Sequence, residues 1–283
     1  MNNFLVIHQL QTIWQYDFMR HAFEAGTIVA IVAGIVGYFV VIRRSSFAAH
    51  ALSHAGFAGA AGAVLLGLNP IIGLLAFTMG GGILMAVLGK KAAGRDVQVG
   101  TVLSFMLGLG VLFISLYKGY ATQAYSLLFG EILGISHNSV IITLIAGIVI
   151  LVSLASIYRP LLFSSLDEDV AEAKGLPVYG IGIVFMLLIA IATSISVQIV
   201  GVLLIFALMV TPAAIAERLA RTPAQGIIIS IAVALLATWT GLILAFYMPY
   251  PVSFFITSIV FLLYGAARVF GGRHQRVRKN GVN

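Results

Sequence analysis

Two imidazoles sit four residues apart in the stretch Phe47-Ala48-Ala49-His50-Ala51-Leu52-Ser53-His54-Ala55-Gly56-Phe57. On a helix, residues at this spacing share a face, so His50 and His54 point the same way, with Ser53 near the edge of that face. A neutral imidazole is a good ligand for a borderline divalent metal, although two nitrogens are too few to close a tetrahedral site. The same pair could instead serve as polar groups at a helix start in the membrane interface, or hydrogen-bond the carbonyl of a neighbouring helix. The spacing alone leaves these readings open. From His50 to Gly62 the chain is rich in alanine and glycine, a surface that lets a second backbone approach closely.

A second group of chemically active residues lies in Leu166-Asp167-Glu168-Asp169-Val170-Ala171-Glu172-Ala173-Lys174-Gly175-Leu176-Pro177. Asp167 is suited to cap a short helix, Asp169 and Glu172 fall in its first turns, and Gly175 stops it before Pro177. Four of the nine acidic residues in the chain are gathered here, so the segment is either a solvated connector or a docking helix for a protein partner. A third feature is Leu208-Met209-Val210-Thr211-Pro212-Ala213-Ala214, where a proline interrupts an apolar run. Proline frees a carbonyl and kinks a helix, and Thr211 could partly satisfy the backbone. Thr211 and Pro212 are therefore pore-shaping candidates, although such kinks also occur in inert spans.

The elements that position these groups must lie in lipid. The chain has 283 residues, 61% hydrophobic and 9% charged, whereas ordinary globular chains are about 25% charged. That composition excludes a soluble protein, and about nine spans of about 20 residues would consume nearly the whole length. Long apolar runs predict helices near 23–42, 49–68, 71–89, 99–117, 139–158, 178–196, 198–216, 224–246 and 252–270. The stretch 181–216 is too long for one crossing, and the polar cluster Thr193, Ser194, Ser196 and Gln198 offers a place to turn. A shorter piece, Tyr125 to Ile135, suits a re-entrant or interfacial segment. The fold class expected is thus an all-α integral membrane protein, a polytopic bundle of 8–9 transmembrane helices, with residues 1–272 as the transmembrane domain and 273–283 as a basic tail.

Nine spans with the N-terminus outside place fourteen of the sixteen basic residues on the inner side, leaving only Arg20 and Lys118 outside. This positive-inside pattern predicts a cytoplasmic C-terminus and assigns the net charge of +7 to orientation rather than to nucleic acid. The chain has no cysteine, which removes disulfides, thiolate ligands and thiol nucleophiles together. No carboxylate or lysine falls near the middle of a predicted span, so proton or sodium coupling within this chain is disfavoured and the energy for active transport should come from a partner. The same lack speaks against a stand-alone secondary metal carrier and against an intramembrane protease.

Taken together, these pieces resemble the membrane permease subunit of the metal-ion ATP-binding-cassette importers, the zinc, manganese and iron uptake family. The resemblance runs from about Ala22 to Arg268. It rests on Gly37–Arg43 followed by Ser46-Phe47 and Ala51-Leu52-Ser53-His54-Ala55, on Leu128-Phe129-Gly130-Glu131-Ile132-Leu133, on Leu166-Asp167-Glu168 with Ala173-Lys174-Gly175-Leu176-Pro177, and on Val210-Thr211-Pro212-Ala213-Ala214. It implies a channel-forming permease in the plasma (inner) membrane that is not itself an enzyme, working in a homodimeric or paired permease core with a cytoplasmic ATPase dimer and an extracytoplasmic metal-binding protein. No covalently held cofactor is expected; the divalent metal is cargo. By the same resemblance, Asp167, Glu168, Asp169, Glu172 and Gly175 form the ATPase-coupling loop, and His54 contacts the metal. The family's segment typically reads Gly-Asp-Ala-Leu-Ser-His-Ala, so His50 stands where the family has an aspartate. Two such chains about a two-fold axis would gather four imidazoles, which suits zinc over manganese or iron(II).

Overall fold

The computed structural model describes residues 14–89, 95–117, 132 and 134–280. Among them the secondary structure is helical throughout: α1 (Asp17–Ile42), α2 (Ser46–Leu65), α3 (Pro70–Leu88), α4 (Arg95–Leu116), α5 (His137–Ser156), α6 (Tyr158–Leu166), α7 (Glu168–Ala173), α8 (Val178–Val200), α9 (Val202–Leu219), α10 (Pro223–Tyr247) and α11 (Val252–Asn280). A backbone in lipid must satisfy its own polar groups, and a helix does so within one segment. The starts are written locally. Asn69 accepts from the amide of Ile71 with Pro70 behind it, Ser136 accepts from Ser139, and Thr222 accepts from Gln225 with Pro223 at the first helical position.

Eight of these helices are long and apolar enough to cross a membrane. The remaining long helix is α2, whose alanine, glycine and histidine content lowers its hydropathy while its 20 residues still extend about 30 Å. The predicted bundle of 8–9 spans is therefore the observed one. At the centre lie α1 and α8, each with about two-thirds of its apolar window buried, whereas α3, α4, α5 and α11 turn most of their surface outward. On one flank α2 packs against α3 and α4; on the other α9, α10 and α11 pack together, with α1 against α9 and α10. Close approach needs small residues, as where Gly59 of α2 crosses Gly73 of α3. A Cβ on either would overlap the other's carbonyl oxygen.

Two expectations are corrected. The break in 181–216 is at Gly201, not at the polar cluster around Thr193 and Gln198. Those polar residues lie inside α8, where the hydroxyl of Ser194 donates to its own Ala190 carbonyl at 2.8 Å and meets Thr78 of α3 at 2.5 Å. Hydroxyls that bond back to their own helix do not stop it in lipid, whereas Gly201 adopts φ 84°, a conformation glycine alone takes readily. Second, α6 follows α5 almost without a break, in a stretch for which the apolar runs predict no separate element. Of the segment 125–135, only residues 132, 134 and 135 are described, with Ile132 and Ile135 buried; the rest, Glu131 included, lies outside the described residues. The last helix continues to Asn280, through most of the basic stretch 273–283.

Candidate functional site

The small residues of α2 sort its surface into two faces. Ala48, Ala49, Ala51, Leu52, Ser53 and Ala55 are buried against the bundle, while His50, His54 and Phe57 follow one another along a half-exposed stripe. The imidazole rings of His50 and His54 meet edge to face, with centroids 4.6 Å apart and an interplanar angle of 83°. The His50 ring also abuts Phe206 of α9, at 4.7 Å and 61°. Its Nδ1 is buried and has no hydrogen-bond partner among the described residues. A buried donor or acceptor left without a partner is costly, and Thr193 and Thr238 carry hydroxyls in the same state. Ser53 is not part of the pair: its hydroxyl turns inward and donates to the Ala49 carbonyl at 3.1 Å.

No third histidine or carboxylate joins these two rings among the described residues. One chain thus brings two imidazoles to one partly exposed stripe, half the number of ligands a tetrahedral ion requires.

On α9, which touches α2 where Phe206 meets His50, the residues Phe206, Ala207, Val210, Thr211 and Ala214 are spaced as one helical stripe and are all half-exposed. The predicted pore-shaping pair divides here. Thr211 lies on the stripe, whereas Pro212 is buried on the opposite, core-facing side of a helix that continues unbroken to Leu219. Pro212 can therefore act on the open face only through the shape of α9.

The acidic segment folds as its residues dictate. Asp167 accepts from the amide of Val170 at 3.0 Å, α7 runs for six residues, and Gly175 ends it with φ 80°. Ala171 is fully buried and pins the helix to the bundle, while Asp167, Asp169, Glu172 and Gly175 are exposed. Leu166 and Val170 are exposed beside them. Apolar side chains ringed by carboxylates make a surface suited to a protein partner. Glu168 differs from its neighbours because it turns back to Arg43, at the end of α1, 3.4 Å away. In the sequence Arg43 stands out as an orienting charge and as the end of the Gly37–Arg43 segment, but its partners lie more than 120 positions along the chain.

A model of the ABC 3 transport family matches residues 15–271. The chain belongs to the ABC 3 transport family. It is 32% identical over 222 residues to the manganese transport system membrane protein MntC of Listeria monocytogenes, covering 78% of this chain and 79% of that one. It is 29% identical to the high-affinity zinc uptake system membrane protein ZnuB of Haemophilus influenzae, over 82% of this chain and 90% of that one. The structure of PsaBC from Streptococcus pneumoniae in complex with Fab superposes with a TM-score of 0.82 at 28% identity, covering 93% of this chain and 95% of that one. As the four motifs imply, this member of the ABC 3 family is a metal-importer permease, a multi-pass membrane subunit that is not itself catalytic.

Proposed function

We propose that this chain carries zinc across the plasma membrane, that its ion path is the open face between α2 and α9, and that His50 and His54 are the transit ligands. The observation that carries the reading is the imidazole pair itself, edge to face on a half-exposed stripe with the His50 Nδ1 unbonded. A second, identical chain related by a two-fold axis adds the same two imidazoles from the other side, and four nitrogens satisfy a tetrahedral borderline ion. Imidazole in place of the family's aspartate makes the site softer and less negative, which favours zinc over manganese and iron(II). Manganese is the second reading, supported by the manganese transport protein among the relatives.

The ion arrives from an extracytoplasmic metal-binding protein and is driven by a cytoplasmic ATPase dimer that docks on α7. The C-terminus and α7 share the cytoplasmic side, where the positive-inside pattern puts fourteen basic residues. Uptake of radioactive zinc into vesicles holding the assembled complex, with unlabelled zinc, manganese or iron(II) as competitor, tests the metal. Zinc competing at the lowest concentration is the expected result; manganese competing better establishes the second reading.

A further inference from the structure

Arg43 is a cation whose side chain is only 5% exposed, at the junction of four elements. Its Nη1 donates to the hydroxyl of Ser164 in α6 at 2.8 Å, and its Nη2 donates to Oε1 of Glu168, the first residue of α7, at 3.4 Å. Its guanidinium carbon lies 5.8 Å from the centre of the Phe185 ring in α8. Ser164 is itself held, its hydroxyl donating to the Leu161 carbonyl at 3.1 Å. A planar fork with donors in fixed directions holds several partners in one geometry, which a flexible ammonium does not.

The backbone that carries this fork leads directly to the imidazole pair. Arg44 takes φ 54°, a left-handed conformation uncommon outside glycine. The amide of Ser45 donates to the Val40 carbonyl at 2.8 Å, and the Ser45 hydroxyl donates to the Arg43 carbonyl at 3.3 Å. The turn between α1 and α2 is thus closed on itself, and α2 begins at the next residue, Ser46, with His50 one turn further on. A displacement of α7 reaches α2 through one side chain and a three-residue turn. There is also room for such a displacement. A cavity of about 260 Å³ lies beside the fork, bounded by Arg43, Ser45, Glu168 and Glu172 on one side and Tyr179 and Met186 of α8 on the other.

We propose that Arg43 is a positioning residue that couples α7 to α2, so that movement of the docking helix reorients the helix bearing His50 and His54. The proposal rests on the reading of α7 as the ATPase-docking element. A buried cation kept only for stability would be a poor investment, since well-packed apolar residues in such positions often do as well or better. Its value here is that it joins two elements that otherwise share little contact.

The test uses the complete complex in vesicles, measuring ATP hydrolysis and radioactive zinc uptake on the same preparation, with assembly of the ATPase checked by co-purification. In Arg43→Gln, and in Arg43→Lys, which keeps the charge but not the fork, hydrolysis per assembled complex stays within about twofold of wild type while zinc moved per ATP falls about tenfold. Exchanging the charges, Arg43→Glu with Glu168→Arg, recovers at least about a third of the lost ratio. A residue that only stabilised the fold would lower hydrolysis and uptake together and leave their ratio unchanged, so an unchanged ratio in both single variants, or no recovery on exchange, overturns the proposal. Failure of the ATPase to co-purify with the wild-type chain is a separate result, which contradicts the docking reading instead.

Discussion

The imidazole stripe of α2 and the acidic helix α7 are both short, polar interruptions in an apolar chain, yet they are built in opposite ways. α7 is locally complete: its cap, its buried Ala171 and its terminating Gly175 all lie within nine residues, and its shape needs nothing from elsewhere. The α2 pair is locally placed but chemically unfinished, with two partly exposed rings and a buried nitrogen that has no partner among the described residues. On the proposed reading, the difference teaches that a surface meant to receive a protein can be folded in advance, whereas a site meant to pass an ion is completed by a second chain and holds its ion loosely.

The largest effect that would sharpen this comparison is expected at α7. Reversing Asp167, Glu168 and Glu172 to lysine should lower zinc uptake by about a hundredfold or more and prevent co-purification of the ATPase, because a charge-reversed docking surface loses several kcal/mol. Asp167 caps α7 and Glu168 faces Arg43, so the melting temperature should fall as well, whereas Asp169→Lys with Glu172→Lys, both exposed, should leave stability nearly unchanged while still weakening co-purification. Unchanged ATPase association would reduce α7 to a connector.

Next in size is a break in the scaffold that holds α9 opposite α2. Gly201→Val forces a β-branched residue into φ 84° and should destabilise the chain by about 1–3 kcal/mol, read as a fall in the melting temperature of the detergent-solubilised protein. An unchanged melting temperature would show that the α8–α9 junction relaxes without cost.

Smaller effects are expected on α9 itself. Thr211→Val removes a hydroxyl from the open stripe and should reduce the uptake rate about twofold to fivefold, while Pro212→Ala, on the core-facing side, should change it less. A larger loss at Pro212 than at Thr211, measured as initial zinc uptake per assembled complex, would return the kink to the ion path.

How much of this was legible follows from the range of each interaction. The spans were readable because lipid imposes a long apolar run on each, and α7 because capping and termination act within one or two turns. The placement of His50 and His54 on one face was readable from their spacing. What could not be read was whatever depends on distant parts of the chain. The Phe206 ring beside His50 comes from α9, the partners of Arg43 come from α6 and α7, and the choice of Gly201 over the polar cluster depends on hydroxyls finding acceptors within and across helices. Which side of α9 Pro212 occupies, buried while Thr211 is partly exposed, also depends on the helices packed around it.

The central claim, that His50 and His54 select and pass the ion, is tested most directly by zinc and manganese uptake in vesicles for wild type, His50→Asp and His54→Ala, repeated as the medium is acidified. Aspartate restores a harder, more negative oxygen ligand at position 50, so His50→Asp should shift preference toward manganese by about tenfold, while His54→Ala loses both ions. Protonation removes the imidazole lone pair, so wild-type uptake should fall on acidification and the His50→Asp variant should lose less. Identical metal preference in wild type and His50→Asp, together with full activity in His54→Ala, would contradict the account and leave the two rings as packing residues of the α2–α9 contact.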